Sequence, residues 1–476
     1  MPTLLNVLPA LTHLAIELKN QASYPAPAWN KRVNDEILRD IQSNNDDNSD
    51  SYNLVFLSLA SGFRYGYHTE QIIKRCPRLK YLLASRFAIF DHQKRTTIDF
   101  ARILELCPSL RYIHWGEDYI TSNIEKEWLT LSREKKRIAD SENGSDHQEG
   151  ESCHLRRVEF RDNDEQRYIS ALKACLQDPS LLEHLRLCGF FDIDLHQVWN
   201  SFAKRNSNLL SQPPQLKTLE LFHFNIAHRT GNDISFEGFF NYFQHVERLE
   251  LSFHLSRTSD FGAPSHYMRK VLEAMGHQSH QLRYLSLSVP TNVFMDYNVV
   301  FWNKLYIAVC RGNPKLETLQ LYNGPMSNAM LLDLCSHPNL HTLNLSGQDL
   351  HTQLTKEGWV SFACKLKEQE QGSCSGGRIR SIELSCGYCE NVTDEVLEEL
   401  AGVKSLETLR ILFNKTITDA GVYKFASIKN SISKEHKKIE LYYCNNVSTD
   451  NPHVVLAPPP SIDRSMSFIF ELLYDE

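Results

Sequence analysis

The chain has 476 residues, of which 42% are hydrophobic and 23% charged, and it carries a formal net charge of -7. That length exceeds what one compact core organises, so it implies several domains or one elongated repeat array. No run of 18 apolar residues offers a membrane span, and the acidic balance lacks the basic footprint that nucleic-acid binding draws on.

Twelve cysteines over this length are too sparse for a disulfide scaffold, which leads us to expect reduced, buried thiols and a cytoplasmic or nuclear protein. The opening stretch MPTLLNVLPALTHLAIEL is apolar but has neither a basic leading segment nor a small-residue cleavage site. It reads as structure rather than as a signal peptide.

Within it, Leu11-Leu14-Ile16 is the first instance of a phrase, apolar-x-x-apolar-x-apolar. The phrase begins again at Leu54, Leu79, Leu110, Leu155, Leu182, Leu216, Val246, Leu282, Leu316, Leu340, Ile379 and Leu406, and in degenerate form at His436. Fourteen phrases between residues 11 and 436 set an average period of about 33 residues, the range of a solenoid. The last two apolar residues of each phrase alternate with polar ones, as in Leu219-Glu220-Leu221, which predicts a short strand with one buried face.

Between phrases the spacing turns helical. Phe100, Ile103, Leu104 and Cys107 share one face, as do Met330, Leu331, Leu334 and Cys335. Cys76-Pro77, Cys107-Pro108, Asp178-Pro179, Asn313-Pro314 and His337-Pro338 then stop the helix shortly before the next strand, because proline lacks the N–H and clashes with the preceding turn. One such unit cannot stand alone. Burying about four large apolar side chains gives roughly 6 to 12 kcal/mol, while ordering some thirty residues costs about 1 to 2 kcal/mol for each backbone. The expected fold is therefore α/β: a leucine-rich-repeat solenoid, or horseshoe, with a parallel sheet on the concave face and helices on the convex face.

Two polar, charged insertions, near 43–51 and 132–153, are expected to loop out of a solenoid that spans residues 1–457. After Pro458-Pro459-Pro460 a tail, 458–476, contains the apolar run Met466 to Tyr474, read as a cap on the last repeat or as a peptide that docks elsewhere.

The repeats become more specific near the C-terminus. Ile382-Glu-Leu384-Ser-Cys386-Gly-Tyr-Cys389 leads into Val392-Thr393-Asp394, the next unit has Ile417-Thr418-Asp419-Ala420-Gly421, and the last begins with Leu441-Tyr-Tyr-Cys444. Thr393 and Thr418 are expected to cap their helices by accepting a hydrogen bond from a backbone N–H, and the cysteines to fill a tight bend. This pattern is similar to the cysteine-containing leucine-rich repeats of F-box proteins. The resemblance covers nearly the whole chain and implies the substrate receptor of a cullin-RING (SCF) ubiquitin ligase. An F-box itself is not recognisable. Val33 to Ile41 comes nearest to its opening phrase but lacks the proline, and it reads as a convex helix. The chain as given is thus expected not to bind the Skp-type adaptor, the ligase machinery being a partner only if an F-box is supplied upstream. The alternative is a repeat scaffold or regulator unrelated to ubiquitin.

No enzyme chemistry assembles. Cys386 and Cys389 have the spacing of half a zinc site, but Cys364 and Cys374 do not supply the other half. Gly372 to Arg378 resembles a phosphate loop, yet it has arginine for lysine and runs into a strand. No metal or cofactor is expected, and the function reads as non-enzymatic protein binding. Strand residues that flank the middle leucine point onto the concave sheet. There the sequence places Arg157, Glu159, Arg161, Arg186, Glu220, Phe222, Arg248 and Glu250, flanked by Tyr81, Tyr112 and Tyr284, as the candidate partner-binding set. Neighbouring arginines and glutamates can equally pair with one another across strands.

Overall fold

A computed structural model describes residues 13–16, 54–59, 72–85, 90–91, 96–97, 100–116, 156–161, 165–176, 182–189, 193–211, 213–225, 235–254, 262–278, 281–290, 299–347, 352–371, 379–432, 438–444 and 446–448. The chain forms two compact units, residues 1–224 and 225–476. The segment Val33 to Ile41, the insertions at 43–51 and 132–153, the Asp178-Pro179 break, the Gly372–Arg378 loop and the 458–476 tail lie outside the described residues.

Each of the fourteen phrases is a strand, and each strand starts two residues after the phrase does. In the first unit these are β1 (His13–Ile16), β2 (Phe56–Leu59), β3 (Tyr81–Ser85), β4 (Tyr112–Gly116), β5 (Arg157–Arg161), β6 (His184–Cys188) and β7 (Thr218–Asn225). They pair in parallel in that order, so that Leu14, Leu57, Leu82, Ile113, Val158, Leu185 and Leu219 form one line across the sheet. The second unit repeats this with β8 (Arg248–His254), β9 (Tyr284–Ser288), β10 (Thr318–Tyr322), β11 (Thr342–Gly347), β12 (Ser381–Cys386), β13 (Thr408–Leu412) and β14 (Lys438–Tyr442). Here Leu251, Leu287, Leu321, Leu345, Leu384, Ile411 and Leu441 share a register. A period of two with one buried face specifies this register strongly, since a slip of one residue would turn every leucine to solvent.

Helices return the chain between strands: α1 (Phe100–Leu106), α2 (Glu165–Cys175) and α3 (Leu195–Arg205) in the first unit. The second holds α4 (Glu237–Tyr242), α5 (Gly262–Gln278), α6 (Val299–Gly312), α7 (Asn328–Cys335), α8 (Lys356–Gln371), α9 (Asp394–Ala401) and α10 (Asp419–Ile432). In α3 the buried residues are Leu195, Val198, Trp199 and Phe202, one helical face turned to the strands. The prolines act as expected. α1 and α6 end just before Cys107-Pro108 and Asn313-Pro314, and the chain turns back through hydrogen bonds from Leu110 N to Cys107 O (3.1 Å) and from Leu316 N to Asn313 O (3.0 Å).

Helix starts in the second unit depart from simple capping. Ser327 behaves as expected and accepts a hydrogen bond from Met330 N. Thr393 does not cap α9, and its buried hydroxyl has no partner. Thr418 instead binds backwards: its N–H donates to Asp394 Oδ1 at 2.8 Å and its hydroxyl to Asp394 Oδ2 at 2.6 Å. Thr355, before α8, does the same with Asn328 of the preceding repeat, N to Oδ1 at 3.0 Å and Oγ1 from Nδ2 at 3.1 Å. The first residue of one helix thus holds the entry to the next.

Glycine makes room for this rung. A Cβ on Gly421 would overlap the Asp394 carboxylate, and one on Gly358 would overlap the Asn328 amide. Where Lys356 replaces the Asx residue, it pairs with Glu395 instead, Val396 stands in place of the glycine, and Thr393 is the threonine left without a partner.

Candidate functional site

The face of each sheet opposite the leucine line carries the polar strand residues. In the first unit the phrase register aligns His114, Glu159, Arg186 and Glu220 in one row, and Tyr112, Arg157, His184 and Thr218 in the row beside it. Glu159 is the hub. Its Oε1 accepts from Arg157 Nε and Nη2 at 3.0 and 2.6 Å, and its Oε2 faces His114 Nδ1 at 2.7 Å. Burial alone would push this carboxyl up. The hydrogen bond from His114 and the charges of His114, Arg157 and Arg186 outweigh burial and hold it well below the usual carboxylate range. An ionised carboxylate only accepts, so His114 Nδ1 carries the proton of that bond.

Arg186 lies 3.4 Å from Glu220, which His184 approaches at 3.9 Å. Two of the guanidiniums also sit over rings, Arg157 at 5.3 Å from the Tyr112 centroid and Arg186 at 4.8 Å from that of Phe222.

The predicted set therefore divides. Arg157 and Arg186 keep 35% and 38% of their side chains exposed, whereas Glu159 is 3% and Tyr112 4% exposed. Glu159 and Tyr112 are consequently not surface contacts but supports. Tyr112 belongs with Phe56 and Leu83 to a small apolar cluster on this outer face, against which Tyr81 packs. Their neighbours across the strands are themselves large and apolar, which period-two reading of one strand cannot show. Arg161 ends β5 opposite Cys188.

In the second unit Arg248 pairs with Glu250 and lies 3.7 Å from the Tyr284 ring centroid, with 44% of its side chain exposed. The Tyr284 hydroxyl donates to Gln320 Oε1 at 2.8 Å, and that oxygen also receives the Tyr322 hydroxyl at 3.3 Å. Further along the same row Arg410 bridges Glu383 (2.8 Å) and Glu440 (2.6 Å). The sequence reading missed His114, His184, Gln320, Arg410 and Glu440. The signal was available, because they occupy the same position of the phrase as residues it chose.

Cys389 is buried and donates to the Leu412 carbonyl at 3.1 Å, a packing role in the turn after β12. Burial pushes the Cys76, Cys310 and Cys335 thiols up to about 12, the charge of Asp333 adding to the rise at Cys310. Such thiols are protonated and poor nucleophiles. Among the described residues no three His, Cys, Asp or Glu side chains gather to hold a metal ion. None of the described helices is long and apolar enough to cross a membrane.

No family model matches the chain, and no curated protein does. Among solved structures the chain is similar to one described as the crystal structure of the Rad7 and Elc1 complex in yeast. Identity is 14%, with a TM-score of 0.42 over 90% of this chain and 93% of that one.

Proposed function

We propose that this solenoid is a non-enzymatic protein-binding module whose exposed sheet face takes the partner, and that it is the target-recognising arm of an F-box type ubiquitin ligase. One observation carries the binding role: Arg157, Arg186 and Arg248 are each partly exposed, stacked on an aromatic ring and held by a carboxylate. A guanidinium fixed in this way loses little freedom on binding, and arginine beside aromatic side chains is the composition of interface hot spots. The full proposed face is Arg157, Arg186 and Phe222 in the first unit and Arg248, Glu250 and Tyr284 in the second, with Glu159 and Glu220 as the groups that orient the arginines. The ligase role rests on the Cys-containing repeats from Ile382 to Val447 and requires an F-box supplied upstream.

The test is site-specific photocrosslinking in cells. A photoreactive residue at Phe222, on the sheet face, is expected to capture a protein that the same residue at Glu398, on α9, does not. Capture only from Glu398 would refute the sheet-face reading. Supplying the Skp-type adaptor with an upstream F-box and the cullin-RING machinery should then ubiquitinate the captured protein. Binding without ubiquitination would favour the scaffold alternative.

A further inference from the structure

The residue just before each strand forms a row of its own, running across the N-terminal ends of the strands. Consecutive members are neighbours through backbone hydrogen bonds, Arg111 N to Lys80 O at 2.8 Å, Arg156 N to Arg111 O at 2.9 Å and Glu183 N to Arg156 O at 2.8 Å. In the second unit the row alternates in sign and neutralises itself. Arg283 N bonds to Glu247 O and Glu317 N to Arg283 O, and the Arg283 side chain pairs with both glutamates, at 3.8 and 2.9 Å. Further on, Arg380 pairs with Glu407 at 4.0 Å.

The first unit breaks this alternation. Lys80, Arg111 and Arg156 put three cations on three successive strands with no acid between them in the row. Neighbouring strands lie about 4.8 Å apart, and like charges facing each other across strands are destabilising. A run of one sign that the rest of the row avoids points to a function outside the fold.

We propose that Lys80, Arg111 and Arg156 form a docking row for a short run of acidic residues in a partner protein. The row spans roughly 10 Å, about the length of three residues of extended chain, so it matches three or four consecutive carboxylates. Arginine adds forked recognition of carboxylate to the point charge of lysine. A nucleic acid fits less well. Three cations over this span meet few phosphates, and the chain's net charge of -7 opposes a long polyanion. This surface is separate from the sheet face proposed above, although both rest on the solenoid being a protein binder.

The experiment uses the full chain and a fluorescein-labelled peptide with four consecutive glutamates, read by anisotropy at 50 and 150 mM salt. Matched peptides carry four glutamines or four lysines. Wild type should bind the glutamate peptide, more weakly at the higher salt, and neither control. The neutral variant K80Q/R111Q/R156Q should weaken binding at least tenfold, and K80E/R111E/R156E should abolish it. The control K217E/R283E should stay within twofold of wild type. Because charge reversal can perturb folding, the melting temperature of each variant is measured, and the neutral triple decides the matter. Undiminished binding by that folded variant overturns the proposal. So does failure of folded wild type to bind, or a single-stranded eight-nucleotide DNA that competes better than unlabelled glutamate peptide. R186Q, on the sheet face, should leave peptide binding unchanged, so the two surfaces fail independently.

Discussion

Replacing Gly421 by alanine should destabilise this protein, against the ordinary expectation for a helix. In an exposed helix the change from glycine to alanine gains about 1 kcal/mol. Here the new Cβ would lie 2.9 Å from Asp394 Cβ and overlap the carboxylate itself. To escape, Asp394 must give up its hydrogen bonds to Thr418 N and Thr418 Oγ1. Hydrogen bonds to a charged group contribute about 1.5 to 3 kcal/mol each, so losing most of both offsets the helical gain and leaves a net loss of about 2 kcal/mol. The decisive assay is a double-mutant cycle in urea. In an Asp394→Ala background the alanine at 421 has nothing to displace, and G421A should there be neutral or stabilising by up to about 1 kcal/mol. Hydrogen exchange adds a local readout, since the Thr418 amide should lose protection in G421A. The reasoning fails if G421A stabilises the parent, or if it destabilises both backgrounds equally.

Three further outcomes follow from the same contacts. Thr393→Val should cost nothing measurable or stabilise slightly, because that buried hydroxyl has no partner, while Thr418→Val should lose about 1 to 2 kcal/mol by urea denaturation. Glu159 has a folded-state pKa depressed below its unfolded value, so its stabilisation is complete above the unfolded pKa near 4.5 and is lost as pH falls from there through the folded value. Thermal melting between pH 6 and 3 should accordingly show a steeper acid limb in wild type than in Glu159→Gln, and equal limbs would discount the network around Glu159. Among the described cysteines, Cys364 is exposed and seven others are buried, so brief alkylation followed by mass spectrometry should modify Cys364 well before Cys76, Cys310 or Cys389. Rapid labelling of those buried thiols in folded protein would contradict the packing.

The strands were fully legible in the sequence, because a leucine at every second position can be satisfied by only one register once neighbouring strands share a core. The positions of Leu219 and Leu221, or of Leu343 and Leu345, therefore determined which residues point inward, and the prolines after Cys107 and Asn313 determined where helices stop. Period two separates the faces of a strand, but it says nothing about depth or partners. Tyr112 became a support because Phe56 and Leu83 lie against it, and Glu159 became a hub because His114 and Arg157 converge on it from positions 45 and 2 residues away. Thr393 and Thr418 look alike in the sequence, each followed by aspartate, yet only Thr418 is held. The difference lies in the preceding repeat, where Asp394 reaches Thr418, whereas Lys356 turns to Glu395 and leaves Thr393 alone. Burial and charge pairing depend on what the next repeat brings alongside, and irregular repeat lengths hide that neighbour from a local reading of the chain.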